Sequence, residues 1–332
     1  MKALVTGASG FTGGYMVKNL LMHNYAVRVL ARPKSDISAL KDLPVEFAFG
    51  ELQDKNKVLH AVDGVDTVFH IAALYRAANV PDSDYWDVNV RGTENLLEAA
   101  LATGVKRFLH CSTCGVHGHI QHPPADENAP IVPEDIYQLT KYEGEKLARS
   151  YYENNGLPVT IVRPVGIYGP GDDRMLKLYR SIQKQRFIMF GGGQVLYHLT
   201  FVTDTVEGFR LAAEKDIAIG QTYIIAGESY TTLMGFATMV AEELGVPPPK
   251  WTPPVWPVEI VAHLCEKVCV PLRLQPPIYP RRVHIFTHDR AFDISKAKRE
   301  LEYAPLVGMK EGIRRTTDWY IEKGYINLRK KS

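Results

Sequence analysis

Tyr137 and Lys141 stand one helical turn apart in a segment of helical character, so both side chains leave the same face. A free phenol titrates near about 10 and is a poor proton donor or acceptor at neutral pH. An ammonium beside it favours the phenolate and lowers that value, which suits general acid–base work at an alcohol carbon. Upstream, Ser112 and Thr113 follow the strand-like run Arg107 to Cys111. A hydroxyl placed there can donate to a substrate oxygen as charge develops on it. Alone, Tyr137 and Lys141 would read as an ordinary surface pair on an amphipathic helix.

A second feature changes that reading: the turn Thr6-Gly7-Ala8-Ser9-Gly10-Phe11-Thr12-Gly13. Lys2 to Val5 reads as a short buried strand, and Gly14 to Met22 carries helical apolar spacing through Tyr15, Met16, Val17, Leu20 and Leu21. The glycines therefore occupy a strand-to-helix turn. Bare backbone there approaches a pyrophosphate closely, and the helix start offers unpaired N–H groups and a positive dipole end. The pattern points to a dinucleotide, although its glycines are spaced more loosely than in the common fingerprint.

These groups need elements to hold them. Strand-like runs at Ala26 to Leu30, Val45 to Phe49, Thr67 to Ile71, Arg107 to Cys111 and Val159 to Arg163 alternate with helical stretches, including Asn89 to Ala102 and Ile136 to Glu153. That alternation predicts an α/β, Rossmann-type, doubly wound parallel sheet, whose ligands bind beyond the carboxyl ends of the strands. After Pro164 the chain turns to Gly166-Ile167-Tyr168-Gly169-Pro170-Gly171, which opens a second, smaller region. Leu199 to Val202 and Thr222 to Ala226 are strand-like again, so the chain is expected to return to the first sheet before the Pro-rich stretch Pro247 to Pro280. The division expected is a cofactor-binding domain of residues 1–165 and 198–224, with a discontinuous substrate region of residues 166–197 and 225–332. A helix from Pro257, with Val258, Val261, Leu264, Cys265 and Val268 on one side, is expected as a substrate lid, an apolar pocket wall or simple packing.

Composition excludes several classes. With 332 residues, 45% of them hydrophobic, the chain can bury a large core. Its 39 basic and 37 acidic residues give a formal charge of +2, which leaves no electrostatic footprint for nucleic acid. The longest apolar stretch, Val255 to Leu272, is interrupted by Glu259, His263, Glu266, Lys267 and Pro271, so no simple membrane span is expected. No leader-like segment precedes the first strand, and a cytoplasmic location is the expectation. Cys111, Cys114, Cys265 and Cys269 form two close pairs, whose strand-end and helical placement favours packing over a metal site or a reversible disulfide. No metal is expected.

With these motifs in place, the chain resembles the extended short-chain dehydrogenase/reductases, from its first residue to about Tyr325. The family's glycine turn is matched by Gly7, Gly10 and Gly13, which implies that Ser9, Phe11 and Thr12 also meet the cofactor. Its Tyr-x-x-x-Lys is matched by Tyr137 and Lys141, the lysine also reaching a ribose hydroxyl. The catalytic Ser or Thr falls on Thr113 with Ser112 beside it, and the catalytic Asn on Asn89, which would support a water-linked proton path to Lys141. His70, Ala72 and Ala73 match a strand-end pattern that lines the cofactor, and Glu51 followed by Leu52 stands at the adenine contact.

Departures from the family pattern refine the expectation. The residue closing the second strand, usually acidic, is replaced by Arg32 with Lys34 and Ser35 nearby. A guanidinium there can hold a 2′-phosphate, so NADP is expected ahead of NAD. Cys114-Gly115 replaces the acid pair of dehydratases, which argues against elimination. Epimerases hold a substrate pyrophosphate through an Asn and an Arg at positions that align with Gly166 and Tyr197, although Arg174 or Arg186 could substitute. Gly191-Gly192-Gly193-Gln194 is similar to the sugar enzymes, whereas Arg163 to Gly171 and Arg290 to Ala297 look more like the hydroxysteroid dehydrogenase and dihydroflavonol reductase branch. The expected function is a reversible NADP-linked alcohol/ketone oxidoreductase acting on a small molecule, ahead of a sugar-nucleotide epimerase and of a non-catalytic cofactor-binding protein. His117 stands where relatives carry a Tyr near the substrate, or else is an exposed loop histidine. The resemblance further implies a homodimer packed through the helices of Asn89 and Tyr137.

Overall fold

The computed structural model describes residues 1–75, 80–269 and 283–327. The chain begins in a strand, β1 (Lys2–Thr6), whose Ala3, Leu4 and Val5 are fully buried. Continuous apolar runs of this kind suit a parallel strand covered on both faces. There follow α1 (Phe11–Met22), β2 (Ala26–Ala31), β3 (Val45–Phe49), α2 (Lys55–Val62), β4 (Thr67–His70), α3 (Asp82–Trp86), α4 (Gly92–Thr103), β5 (Arg107–Cys111), α5 (Ile136–Asn155) and β6 (Val159–Pro164). Among the described residues seven strands form the main sheet in the order β10-β6-β5-β4-β1-β2-β3, with β10 at Thr222–Ile225 and every pair parallel. The order reverses between β1 and β4, which opens the crevice where such sheets take ligands. Register keeps the strand ends level: Thr6 pairs with His70, and His70 with His110.

Helices cover both faces. Met16, Val17 and Leu20 of α1 pack with Phe209 on one side, and Val58 of α2, Leu96 and Leu97 of α4 and Ala148 of α5 pack on the other. Helix ends follow their sequence signals: Asp135 caps α5 by accepting from the Gln138 N–H, and Gly156 ends it in the left-handed region at φ 71°.

Beyond β6 the chain forms β7 (Gly166–Tyr168), α6 (Leu176–Gln183), β8 (Leu196–Tyr197), β9 (Leu199–Phe201) and α7 (Val202–Glu214). Residues Leu199 to Phe201 do not rejoin the main sheet as their strand-like character led one to expect; they pair with β7 in a separate ribbon. Gly166 makes the approach possible, since a Cβ there would lie 2.7 Å from Leu199 Cδ2. Thr222 to Ile225 does return, beside β6. A third core gathers Tyr168, Tyr179, Phe201, Phe236 and Tyr320.

Further on, α8 (Leu233–Glu243) joins that core, and α9 (Trp256–Cys269) confirms a helix near Pro257. Its apolar side is not turned inward: Val261, Leu264 and Val268 are exposed, and among the described residues none from α9 lines the main cleft. The helix is therefore no wall of that cleft. Much of the Pro-rich stretch, residues 270–282, lies outside the described residues. Among the described residues no helix is long and apolar enough to cross a membrane.

Candidate active site

A cleft of about 840 Å³ runs along the carboxyl ends of β1, β4 and β5. Its cofactor end starts at the glycine turn. Gly7 takes φ 75°, and a Cβ on it would fall 2.8 Å from the Ala72 backbone; a Cβ on Gly13 would fall 2.2 Å from the Gly7 carbonyl oxygen. The turn is thus packed backbone on backbone, with room for a side chain at neither position. Helix α1 opens on Gly10 with no side chain capping its first N–H groups, so these remain available to an anion. Ser9, Gly10, Phe11, Thr12 and Gly13 line this end, with Arg32 and Ser35 after β2, Glu51 and Leu52 after β3, and Ala72 and Ala73 after β4.

His70 does not line the cleft, contrary to its expected place beside the cofactor. It is fully buried between two threonines, with Nδ1 2.9 Å from Thr6 Oγ1 and Nε2 2.9 Å from Thr93 Oγ1. Thr93 donates to the Asn89 carbonyl, and Thr6 accepts from the Ala72 N–H. That leaves Nε2 as donor and Nδ1 as acceptor, so the imidazole is neutral, as burial and the charge of Lys141 require. The histidine pins β1, β4 and α4 together.

The chemical groups follow on β5 and α5. Thr113, Ser112 and Tyr137 all line the cleft. The Thr113 hydroxyl oxygen accepts from the Gly115 N–H at 3.1 Å, which fixes its direction and leaves its proton to give. Ser112 Oγ is buried and has no hydrogen-bond partner among the described residues. Tyr137 sets its ring edge-on to Tyr75 at 4.9 Å between centroids, the opposite wall. Lys141, a turn further along α5, is fully buried and is not among the residues that line the cleft; among the described residues its Nζ has no hydrogen-bond partner, and burial pushes its pKa down. An orphaned ammonium beneath a cleft is the donor that a ribose hydroxyl would satisfy. Together with the Gly7–Gly13 cradle and the uncapped α1, it fits a nicotinamide dinucleotide.

Asn89 lies behind the cleft wall, in a π-helical turn at Asp87–Arg91. Its side chain accepts from the Leu74 N–H at 2.7 Å and donates to the Leu74 carbonyl and to Thr140 Oγ1. It thereby ties the loop after β4 to α5. Such turns often mark functional positions in helices.

At the substrate end, Gly166, Arg174 and Tyr197 line the cleft with Leu74, Tyr75, Met175, Leu178, Ile285 and Phe292. Arg174 is heavily engaged: it bonds both carboxylate oxygens of Asp172 at 2.7 and 3.1 Å and the Ile167 carbonyl at 2.7 Å. Its guanidinium also sits over the rings of Phe11 and Tyr75, each at 5.6 Å, so it clasps the glycine turn from the far side. Arg186 is exposed and does not reach the cleft. Burial pushes the Tyr197 phenol up to about 12.

His117 is neither at the substrate nor in solvent. It is buried behind β6, with Nδ1 3.1 Å from the Pro130 carbonyl and Nε2 3.2 Å from Arg163 Nη1. Burial and the Arg163 charge depress its pKa, so it serves as a neutral brace for the Arg163–Glu145 pair. The four cysteines are free thiols. Cys111 and Cys114 are buried, and burial raises both pKa values, Cys111 to about 11, which disfavours the thiolate. Sequence reasoning had not placed Arg290 in the cleft, which it lines. Its nearest sequence signal was the Arg290 to Ala297 pattern, read there only for branch likeness.

Residues 3–226 match the model of the NAD dependent epimerase/dehydratase family. The chain belongs to that family. It is an NAD(P)-dependent enzyme of the extended short-chain dehydrogenase/reductase superfamily, as the motifs implied. It is 33% identical to 3beta-hydroxysteroid-dehydrogenase/decarboxylase isoform 2 of Arabidopsis thaliana, over 95% of this chain and 61% of that protein. With the 3 beta-hydroxysteroid dehydrogenase/Delta 5→4-isomerase of Mycobacterium tuberculosis it shares 32% identity, over 96% of this chain and 90% of that one. UDP-glucuronic acid 4-epimerase from Bacillus cereus, solved in complex with NAD, superposes with a TM-score of 0.78 at 25% identity, covering 98% of this chain and all of the other. The family resemblance thus spans both reaction classes, and the Rossmann-type parallel sheet is common to them.

Proposed function

We propose that this family member is a reversible oxidoreductase for an apolar secondary alcohol or ketone, using NADP in preference to NAD. The observation that carries this reading is the substrate end of the cleft. Its walls are largely apolar, and the guanidinium of Arg174 is committed to Asp172 and the Ile167 carbonyl. A substrate pyrophosphate would have to be held against those prior bonds, at a cost of a few kcal/mol for each charge-assisted contact forgone. The dinucleotide, when bound, supplies or accepts the hydride. Tyr137 gives the proton to the carbonyl oxygen or takes it from the alcohol, Thr113 orients that oxygen, and Lys141 favours the phenolate while holding ribose. Asn89 is a positioning residue in this scheme, and Ser112 stands ready as a second hydroxyl.

The cofactor preference is supported by Arg32, exposed at the end of β2 on the cleft rim with no ion pair among the described residues. Glu51 on the same rim is the carboxylate a 2′-phosphate would have to avoid. The domain division at residues 165, 198 and 225 and a homodimer through the outer faces of α4 and α5, where Leu101 and Leu139 are exposed, belong to the same reading. A cytoplasmic location belongs to it as well. Arg290 favours a second reading, sugar-nucleotide epimerisation, because it brings another cation to the substrate end.

One assay separates the two readings. Steady-state turnover of hydroxysteroids and cyclic ketones, with NADPH and with NADH, is compared with conversion of a UDP-hexose, for the wild type and Tyr137→Phe. The oxidoreductase predicts ketone reduction faster with NADPH and lowered by about 10²- to 10⁴-fold in Tyr137→Phe. Sugar-nucleotide conversion with tightly retained NAD and no ketone turnover would replace it with the epimerase.

A further inference from the structure

Three side chains that the hydride chemistry does not use converge beside the substrate end of the cleft. Glu134 lies directly before the Asp135 cap of the helix that carries Tyr137. His284 and His288, one helical turn apart, reach it from the far end of the sequence. His288 Nε2 is 2.9 Å from Glu134 Oε1, and His284 Nδ1 is 3.3 Å from Glu134 Oε2. The two imidazoles stack at 4.1 Å, inclined by 15°. One ligand atom from each of the three residues lies within 4.8 Å of the others, and all three side chains are partly buried.

The surroundings hold this arrangement. Thr287 Oγ1 is 2.8 Å from His288 Nδ1, which can donate to it and leave the Nε2 lone pair facing the carboxylate. Gly118, at φ 62°, admits the carboxylate, since a Cβ there would lie 3.1 Å from Glu134 Oε1. The Glu134 N–H donates to Gln138 Oε1, which fixes the backbone beneath it. Among the described residues Glu134 Oε2 is buried and makes no hydrogen bond, its distance to His284 notwithstanding. His119 packs edge-on to His288 at 5.2 Å, but its Nδ1 accepts from the Asp289 N–H, so its Nε2 carries the proton and offers no lone pair.

Two stacked imidazoles and one carboxylate, with one ligand atom from each within 4.8 Å of the others, form a poor ion-pair cluster, because two adjacent imidazoliums repel while only one anion is present; a shared ion requires the stacked rings to turn so that their in-plane lone pairs converge. They form a good donor set for a borderline divalent transition metal, with two nitrogens, one oxygen and a position left for water. We propose that Glu134, His284 and His288 bind one zinc-like divalent ion. The ion is a structural clamp: it joins residues 284–288 to the start of the Tyr137 helix and so sets Ile285 and Arg290 in the cleft wall.

The test uses the full chain stripped with a chelator and then titrated with zinc sulfate alone by calorimetry, and with cobalt chloride by absorption spectroscopy. The wild type is expected to bind one equivalent of zinc and to melt at a higher temperature with it. Affinity is expected to fall at least about tenfold in His284→Ala, His288→Ala and the conservative Glu134→Gln. Cobalt is expected to give ligand-field bands without a thiolate charge-transfer band, a readout that needs no variant to fold. Zinc affinity unchanged across all three variants overturns the proposal, as does no zinc binding. A thiolate band overturns it too, by moving the ion to Cys265 and Cys269.

Discussion

The two ends of the cleft are built in different ways. At the cofactor end the contacts are set by the main chain: the Gly7–Gly13 turn, the start of α1 and the level ends of β1, β4 and β5. At the substrate end they are set by side chains from the loops after β6, β8 and residue 283, locked by the Arg174–Asp172 pair and by Phe11, Tyr75 and Tyr197. The sheet register fixes the first end, whereas the second depends on how a separate core packs against it. One end can therefore stay the same across reactions while the other changes, which is how steroid dehydrogenases and a sugar-nucleotide epimerase come to share this fold.

That contrast can be broken from either side. The largest effect is expected from Gly13→Ala, whose new Cβ would meet the Gly7 carbonyl oxygen at 2.2 Å, backbone that cannot move aside. Overpacking of this kind costs about 1 to 3 kcal/mol of folding stability, so the melting temperature should drop, and the displaced turn should bind NADPH more weakly. Unchanged NADPH affinity in a fluorescence titration would mean that the turn does not set the cofactor site.

Lys141→Met, in the buried part of α5 a turn beyond Tyr137, should show a smaller, pH-dependent effect. Burial depresses the Lys141 pKa below its ordinary 10.5, so the folded chain binds fewer protons there than the unfolded chain. The penalty is fully present below the folded value and is relieved as pH rises towards 10.5. Without cofactor, the methionine variant is expected to melt a few degrees higher than wild type at pH 7, and this gain should shrink on going to pH 10. NADPH binding should weaken by about tenfold or more, the loss of a charge-assisted hydrogen bond. Calorimetric melts across that range decide it; a gain that grows with pH would reverse the sign.

The smallest effect is expected from Arg290→Ala. With an apolar ketone, kcat/KM should change by less than about threefold, with NADPH binding unaltered, because such a substrate presents no anion to that guanidinium. A pyrophosphate-bearing substrate would instead lose about tenfold or more. Parallel assays on both substrate types place the variant in one class or the other.

Legibility in the sequence followed the same division. The main-sheet strands and the helices around Tyr137 and Asn89 could be read from apolar spacing, and the glycine turn from its place between a strand and a helix. The cofactor-end residues Ser9, Arg32, Glu51, Leu52, Ala72 and Ala73 all come to the cleft. His70 and His117 misled, because one residue type serves as buried hydrogen-bond brace and as site ligand, and only the partners distinguish them. The apolar stripe at Val261 and Leu264 misled for a similar reason: spacing shows that a helix has an apolar side, not what that side meets. The His284-x-x-x-His288 spacing was visible, but Glu134 is distant in sequence and gave no signal alone.

By itself the sequence determined the parallel sheet and the glycine turn between strand and helix, and it brought forward Thr113, Tyr137 and Lys141 as candidates, because these rest on local periodicity and on residues one turn or one strand end apart. Only the tertiary structure decided that Leu199 to Phe201 leave the main sheet, that Arg174 is held by Asp172, that Arg290 faces the cleft, and that Glu134 meets two histidines. Each of those outcomes depends on contacts between segments far apart in the chain, whose packing no local pattern encodes.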